Sequence, residues 1–330
     1  MNPPLHLFAL AGSAPFGQRV ARHLGMPLAA HDEKEFEDGE YEVYAPAAVR
    51  GGHACVVHAL AGAPGQGSGE RLCRLLFFIG ALRDAGAARI TAVLPYVAFA
   101  RQDTRQAAGD PLTLRYMAAL LEAAGADTVL ALDVHNLSAF QNAFRCRTEH
   151  LDGSALFAAH FAAVAGGDEV CVVAPDGGGI RRAEGFRQAL AQALGRPVAL
   201  AFVEKHRHGS ELTGDLMAGD VAGRLAIVFD DIIGTGSTMA RAVQSCRERG
   251  AARVMAAATH AIFAGDAAGK LARAGLEAGV VADTVHDGSR AGGQFTVLDS
   301  SVLFAQAIRC LHEGVPYAPV PFTAPPDMLG

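Results

Sequence analysis

The segment Ile227-Val228-Phe229-Asp230-Asp231-Ile232-Ile233-Gly234-Thr235-Gly236-Ser237-Thr238 concentrates more usable chemistry than any other stretch of this chain. An apolar strand over Ala226–Phe229 runs into two acids, and a glycine and hydroxyl loop then opens a helix expected over Met239–Arg249. Backbone N–H groups in such a loop, together with the helix N-terminus, form a cradle for phosphate. Thr235, Ser237 and Thr238 add hydroxyl donors. Asp230 and Asp231 suit the hydroxyls of a ribose, because carboxylates accept hydrogen bonds from a diol. A plain strand–turn–helix junction with a Ser/Thr cap has the same outline, but the double acid and three hydroxyls favour the cradle.

Three further apolar strands end in polar constellations. Ile90–Tyr96 is followed by Ala100-Arg101-Gln102-Asp103, Thr128–Asp133 by His135, and Val170–Ala174 by Asp176-Gly177-Gly178-Gly179. Asp176, with Asp230 or Asp231, suits magnesium, which takes oxygen ligands and completes its shell with water and phosphate. His135 on general grounds is a hydrogen-bonded structural group. Lys205 and Arg207 are cations able to neutralise phosphoryl charge, although Lys205–His208 also fits a solvated surface loop. Arg101, past a buried strand, favours a phosphate or stacking role. Arg105, Arg181 and Arg182 fit plain surface charge, and Asp38 and Glu40 fit a polar turn around Gly39.

The elements that must position these residues follow one pattern. A helix-like run ends at Gly-Ala and an apolar strand follows, as in Arg83–Arg89 before Ile90, Ala123–Asp127 before Thr128, and Arg247–Arg253 before Val254. Glycine just past a helix end caps it at positive φ. Near-continuous apolar strands belong to a parallel sheet covered by helices on both faces, so the chain reads as repeated αβ units. Such sheets bind ligands beyond the carboxyl ends of their strands, where the constellations lie. With 330 residues, the chain suits two domains. A net charge of −6 without like-charge runs argues against a nucleic-acid-binding surface. No apolar run is long enough for a membrane span, and no Lys or Arg precedes the short apolar start, Leu5–Ala11, as a signal peptide would require. Six scattered cysteines without a CxxC pair are expected to be reduced, cytoplasmic packing residues.

The Asp230–Thr238 loop resembles the phosphoribosyl-pyrophosphate loop shared by type I phosphoribosyltransferases and ribose-phosphate pyrophosphokinases. Five further segments resemble the latter: Phe36-Glu37-Asp38-Gly39-Glu40, Pro95–Asp103, Leu132-Asp133-Val134-His135, Val173–Ala183 and Glu204-Lys205-His206-Arg207. They occur in the family's order from about Ala11 to Gly314. The resemblance implies a fold class of α/β, with two type I phosphoribosyltransferase-like domains, each an open, mostly parallel sheet flanked by helices, and the active site between them. The boundaries implied are 1–152, 153–304, and a C-terminal helix with a Pro-rich tail, 305–330, packing on the first domain. The final helix is expected over Ser301–Gly314.

The resemblance also implies roles. Phe36, Asp38, Glu40, Arg101, Gln102 and Asp103 bind ATP, with Phe36 stacking on adenine and Glu40 hydrogen-bonding to it. His135 and Asp176 are Mg2+ ligands. Asp230, Asp231, Gly234, Thr235, Gly236, Ser237 and Thr238 hold ribose 5-phosphate. Lys205 and Arg207, on a mobile loop, are catalytic. The expected partners are ATP, ribose 5-phosphate and further copies of this chain, as a dimer or hexamer in which Phe36–Glu40 serves a neighbour's site. No nucleic acid or membrane partner is expected. Two alternatives are a non-catalytic regulatory subunit and a transferase that binds phosphoribosyl pyrophosphate. The adenine-site segments argue against the transferase, and the retained Lys205, Arg207, Asp176 and His135 argue against the regulatory subunit.

The chain departs from the family in places. The catalytic segment reads Lys-His-Arg rather than Lys-Arg-Arg, and the phosphate loop has Gly234 and Ser237 where many members have an acid or serine and a glycine. Ala61–Gly69 is glycine-rich and reads as a flexible linker before a helix starting near Glu70. Asn136–Phe144 lacks the paired glutamines of the commonest class, in a region that serves phosphate activation and ADP inhibition there. We therefore expect weak or absent phosphate dependence. Rates measured against phosphate concentration check this, and a strict requirement for added phosphate would refute it.

Overall fold

The structure is a computed structural model that describes residues 3–44, 49–63, 65–208, 211–285 and 293–317, with backbone alone over 205–208 and 211–215. The Pro-rich tail expected after Val315 lies outside these residues from 318 onward.

In chain order the elements are β1 (Leu5–Ala9), α1 (Ala14–Leu24), β2 (Asp32–Glu35), β3 (Tyr41–Tyr44), β4 (His53–Val57), α2 (Ser68–Asp84), β5 (Arg89–Leu94), α3 (Thr113–Ala124), β6 (Thr128–Leu132), α4 (Leu137–Ala143) and β7 (Arg147–Leu151). There follow α5 (Ser154–Ala165), β8 (Val170–Ala174), α6 (Ile180–Leu194), β9 (Ala199–His208), β10 (Glu211–Ala218), β11 (Leu225–Ile233), α7 (Ser237–Glu248), β12 (Arg253–Ala261), α8 (Ala267–Arg273), β13 (Ala278–Ala282), β14 (Phe295–Leu298) and α9 (Ser301–Glu313). The chain divides into two compact units. One runs to Leu151 and resumes at Ser300, and the other is Asp152–Asp299.

The first unit holds a parallel sheet in the order β1-β4-β5-β6-β7. From β4 onward strand order follows chain order, and the crossover helices α2, α3 and α4 lie on one face. The core on that face joins Phe8, Val56, Ile90, Leu94 and Val129 of the sheet to Leu75, Phe78, Met117 and Phe140 of α2, α3 and α4. The other face, with Leu7, Cys55, Val57, Val93 and Leu130, is covered by Phe16 and Val20 of α1 and by Phe304, Ile308 and Leu311 of α9. Phe16 and Phe304 meet edge to face at 5.4 Å.

The second unit holds the order β10-β9-β8-β11-β12-β13-β14, parallel except for β10. From β8 the chain crosses through α6 to β9 on one side. From β11 it crosses through α7 to β12 on the other. Helices therefore cover both faces. Phe157, Phe161 and Phe186 of α5 and α6 pack with Phe229 in one layer, and Met239, Val243 and Leu271 of α7 and α8 pack with Val228 in the opposite layer.

Several boundaries differ from the sequence expectations. β6 stops one residue early because Asp133 takes φ +41°, a left-handed conformation that Asp tolerates better than apolar residues do. β5 ends at Leu94, since Pro95 cannot donate to the ladder. β11 runs on to Ile233, so both acids lie within the strand rather than beyond it. In the expected linker at Ala61–Gly69, Ala63 and Gln66 exchange backbone hydrogen bonds of 2.8 and 3.0 Å, and α2 begins at Ser68. Cys55, Cys171 and Cys246 are buried packing residues, whereas Cys73 is exposed, contrary to the expectation for all six. Among the described residues no helix is long and apolar enough to cross a membrane.

The fully buried Phe304 closes the second face of the first sheet. Phe304→Ala should cost about 3–5 kcal/mol, read as a lowered midpoint in denaturant unfolding. A loss under about 1 kcal/mol would show that α9 is not part of that core.

Candidate active site

The winding of the chain across the second unit's sheet reverses between β8 and β11, stepping from β8 to β9 on one side and from β11 to β12 on the other. Open parallel sheets bind ligands at such a switch point, beyond the carboxyl ends of the two strands. The β8–β11 ladder ends at the pair Val173 and Val228, while the β11–β12 ladder continues to Ile233 and Ala261. The last turn of β11 therefore keeps a neighbour on one side and loses it on the other. Asp230 and Asp231 occupy the part left open.

Beyond β8, Asp176 is extended and half-buried, and its Oδ1 accepts from the N–H groups of Gly178 at 3.1 Å and Gly179 at 3.2 Å. This caps the turn that leads into α6. One side chain along α6, Arg182, crosses to the acids, with Nη1 at 2.6 Å from Asp230 Oδ1 and 3.1 Å from Asp231 Oδ1. Asp230 Oδ1 also accepts from the N–H of Asp231 at 2.9 Å. Two carboxylates thus share one guanidinium. Burial, with the neighbouring Asp231 second, pushes the Asp230 carboxyl above the usual carboxylate range, and Arg182 offsets only part of this. A hydroxyl donor or a cation placed beside the pair would favour its ionised form.

The loop after β11 turns through Gly236 at φ +75°, the N-cap of the 12-residue helix α7. A side chain there would be strained, and its Cβ would lie 3.0 Å from the Ala267 carbonyl oxygen of α8. The first N–H groups of α7 have no intrahelical acceptor, and Thr235 and Ser237 hold their hydroxyls 3.4 Å apart beside them. Lys270 of α8 donates to Thr235 O at 3.1 Å and to Ser237 Oγ at 3.2 Å. The same unit carries Lys205 and Arg207 on β9, in register with Asp215 and Leu212 of β10. The expected loop is thus backbone of an antiparallel ribbon. β8 pairs β9 only as far as Phe202, and β9 continues beyond it against β10 alone. The side chains of Lys205 and Arg207 lie outside the described residues.

In the first unit, Phe36–Glu40 forms the tip of the β2–β3 hairpin, closed by Phe36 N–H to Glu40 O at 2.8 Å and Gly39 N–H to Phe36 O at 3.0 Å. Asp38 Oδ1 accepts from the Glu40 N–H at 3.1 Å. The Phe36 ring is 40% exposed, with Lys34 Nζ 4.6 Å from its centroid. Arg101, Gln102 and Asp103 follow β5 after Phe99, a non-glycine residue held at φ +63°, and Gln102 Oε1 accepts from the Thr113 hydroxyl. The exposed His135 follows β6, the strand beside β5. Each unit thus gathers its candidates at strand ends or a hairpin tip. Among the described residues no three His, Cys, Asp or Glu side chains form a metal cluster.

The matching families accord with this arrangement. The family model for the N-terminal domain of ribose phosphate pyrophosphokinase matches residues 5–125, and that for the phosphoribosyl synthetase-associated domain matches residues 204–318. A protein of Lactiplantibacillus plantarum named putative ribose-phosphate pyrophosphokinase 2 is 33% identical over 94% of each chain. The chain belongs to the ribose-phosphate pyrophosphokinase family. Another member, from Caldanaerobacter subterraneus, is 34% identical over 94% of this chain and 96% of its own. The crystal structure of phosphoribosylpyrophosphate synthetase from Mycobacterium smegmatis superposes with a TM-score of 0.84 at 33% identity, covering 94% of this chain and 99% of that one.

Sequence reasoning about this pyrophosphokinase family member missed two cations. Arg182 passed as surface charge, because nothing in its spacing shows that α6 aims it at β11. Lys270 sits on a short helix whose approach to the loop depends on long-range packing. Arg74 of α2 was also missed. Its buried guanidinium donates to Glu35 Oε2 at 2.8 Å and Glu70 Oε1 at 2.9 Å, and lies 4.4 Å from the Tyr41 ring centroid. These contacts tie the β2–β3 hairpin to α2. Arg74→Ala should speed deuterium exchange over residues 32–44 by roughly tenfold or more and leave β4–β6 unchanged. Unchanged exchange in the hairpin would mean that the tie does not hold it.

Proposed function

We propose that this chain works as a ribose-phosphate pyrophosphokinase. In this reading the 1-hydroxyl oxygen of ribose 5-phosphate attacks the β-phosphorus of ATP. The bond from that phosphorus to the α–β bridging oxygen breaks, AMP leaves, and the hydroxyl proton passes to solvent. The products are phosphoribosyl pyrophosphate and AMP. Such a transfer asks a protein for positioning and charge stabilisation more than for covalent chemistry.

The observation that carries the reading is the switch point of the second unit, where a double acid and a glycine-hydroxyl loop occupy one strand end beside Asp176. Asp230 and Asp231 accept the ribose hydroxyls there, and Gly234–Thr238 with the start of α7 holds the 5-phosphate. Lys205 and Arg207 hold the transferring β-phosphoryl group. Phe36, Asp38 and Glu40 take the adenine, and Arg101, Gln102 and Asp103 complete the ATP site. Magnesium would neutralise charge on the ATP phosphates when bound, with His135 as a ligand in the first unit and Asp176 as a ligand at a second metal site, near the ribose, in the second. The half-buried Asp176 carboxylate fits that ion, which takes few protein ligands and fills its shell with water and phosphate. The enzyme in this reading is a cytoplasmic homo-oligomer, a dimer or hexamer in which a neighbour's hairpin tip completes the adenine site.

AMP release from the purified protein with magnesium, ATP and ribose 5-phosphate tests the proposal, beside a Lys205→Ala variant. The wild type should release AMP, and the variant should fall by about 10²-fold or more. No AMP from either protein, with or without phosphate, would replace this reading with that of a regulatory subunit.

A further inference from the structure

Among the described residues, two side-chain cations meet the end of β11 and the loop after it, and they are differently committed. Arg182 lies at the acid end, shared between Asp230 and Asp231. Lys270 lies at the hydroxyl end, where its ammonium donates to Thr235 O and Ser237 Oγ. Asp266, one turn earlier on its own segment, pairs with Arg273 at 2.6 Å and also feels the charge of Lys270.

The position of Lys270 is set by packing. Ala267 and Leu271, one turn apart, are fully buried and anchor α8. Ala267 abuts Gly236 so closely that a Cβ on the glycine would reach the Ala267 backbone at 3.0 to 3.2 Å. Lys270 lies three residues after Ala267, on the same side of the helix. Its ammonium therefore stands beside the hydroxyl and N–H groups at the start of α7. An ammonium carries three donors, and Ser237 Oγ can turn its own hydroxyl toward an anion while remaining bonded to Lys270.

We propose that Lys270 is a substrate-binding residue that supplies the side-chain cation for the 5-phosphate of the acceptor and sets the preference for a phosphorylated over an unphosphorylated pentose. The proposal rests on the reading that the 235–238 loop holds that phosphate. Backbone N–H groups and hydroxyls alone bind phosphate as neutral donors. A charge-assisted hydrogen bond adds about tenfold or more in affinity.

The test compares Lys270→Met, Lys270→Arg and Thr238→Val with the wild type. The readouts are KM for ribose 5-phosphate, KM for ATP and kcat in the AMP-release assay, with ribose 5-phosphate binding by calorimetry in the absence of ATP. Lys270→Met should raise KM and the calorimetric Kd for ribose 5-phosphate by about tenfold or more and leave KM for ATP within about twofold. Lys270→Arg, which keeps the charge, should recover most of the loss. Raising ionic strength should weaken acceptor binding in the wild type more steeply than in Lys270→Met. Unchanged acceptor binding in Lys270→Met, beside a clear loss in Thr238→Val, would overturn the role of Lys270 alone. Unchanged binding in both variants would overturn the loop reading itself. Equal losses toward both substrates, without recovery in Lys270→Arg, would reduce Lys270 to a structural brace.

Discussion

A parallel sheet buries both of its faces, and each must be covered by helices. The two units meet that requirement differently. In the first, strand order follows chain order, so the crossovers of α2, α3 and α4 load one face and leave the other to α1. One 11-residue helix cannot cover five strands. The chain therefore returns, and α9 lies beside α1 over Leu7, Val57, Val93 and Leu130. The second unit winds both ways from its centre and covers both faces with its own helices. The same winding produces the switch point between β8 and β11, so the requirement for coverage also decides where this unit opens a crevice.

The crevice keeps charge that a core would reject. Buried charges are tolerated when paired and hydrogen-bonded. Arg182 provides one positive charge for two carboxylates, and the balance falls toward a raised Asp230 pKa because burial and Asp231 together outweigh it. The buried Arg71 and Arg74 of the first unit are instead tied into its frame. Arg71 donates to Ala59 O at 2.7 Å, Ser13 Oγ at 3.2 Å and Gln66 Oε1 at 3.2 Å, and so joins the ends of β1 and β4 to α2. Arg74 is likewise spent on Glu35 and Glu70. In the first unit, then, buried cations hold backbone and hairpin in place. In the second, Arg182 spans the two acids at the end of β11.

Much of the framework was legible in the sequence because the signals were local. β5, β6 and β12 are apolar runs that follow a Gly-Ala pair, β6 and β8 run into an acid within two residues, and Gly125 at φ +111° caps α3 as the Gly-Ala pattern implied. The Asp230–Thr238 loop showed itself by composition. Less legible were features decided by pairing. Asp230 and Asp231 looked like residues beyond a strand, yet β12 is long enough to keep β11 extended through Ile233. Lys205–Arg207 looked like a loop because its residues are polar, and a two-stranded ribbon leaving the sheet has no apolar alternation to betray it.

Arg182 and Lys270 illustrate a deeper limit. Each is a cation on a helix with ordinary surface periodicity, and each acquires its meaning from an element far away in sequence. The distances are 48 residues from Arg182 to Asp230 and 33 from Lys270 to Ser237. What places them is the covering of the sheet by helices. α6 must lie over one face and α8 beside the start of α7 on the other, so a side chain near the N-terminus of either reaches the carboxyl end of β11 from opposite sides. The two cations thereby bracket the loop, one at its acids and one at its hydroxyls. A substrate that carries a diol at one end and a phosphate at the other is complementary to that polarity.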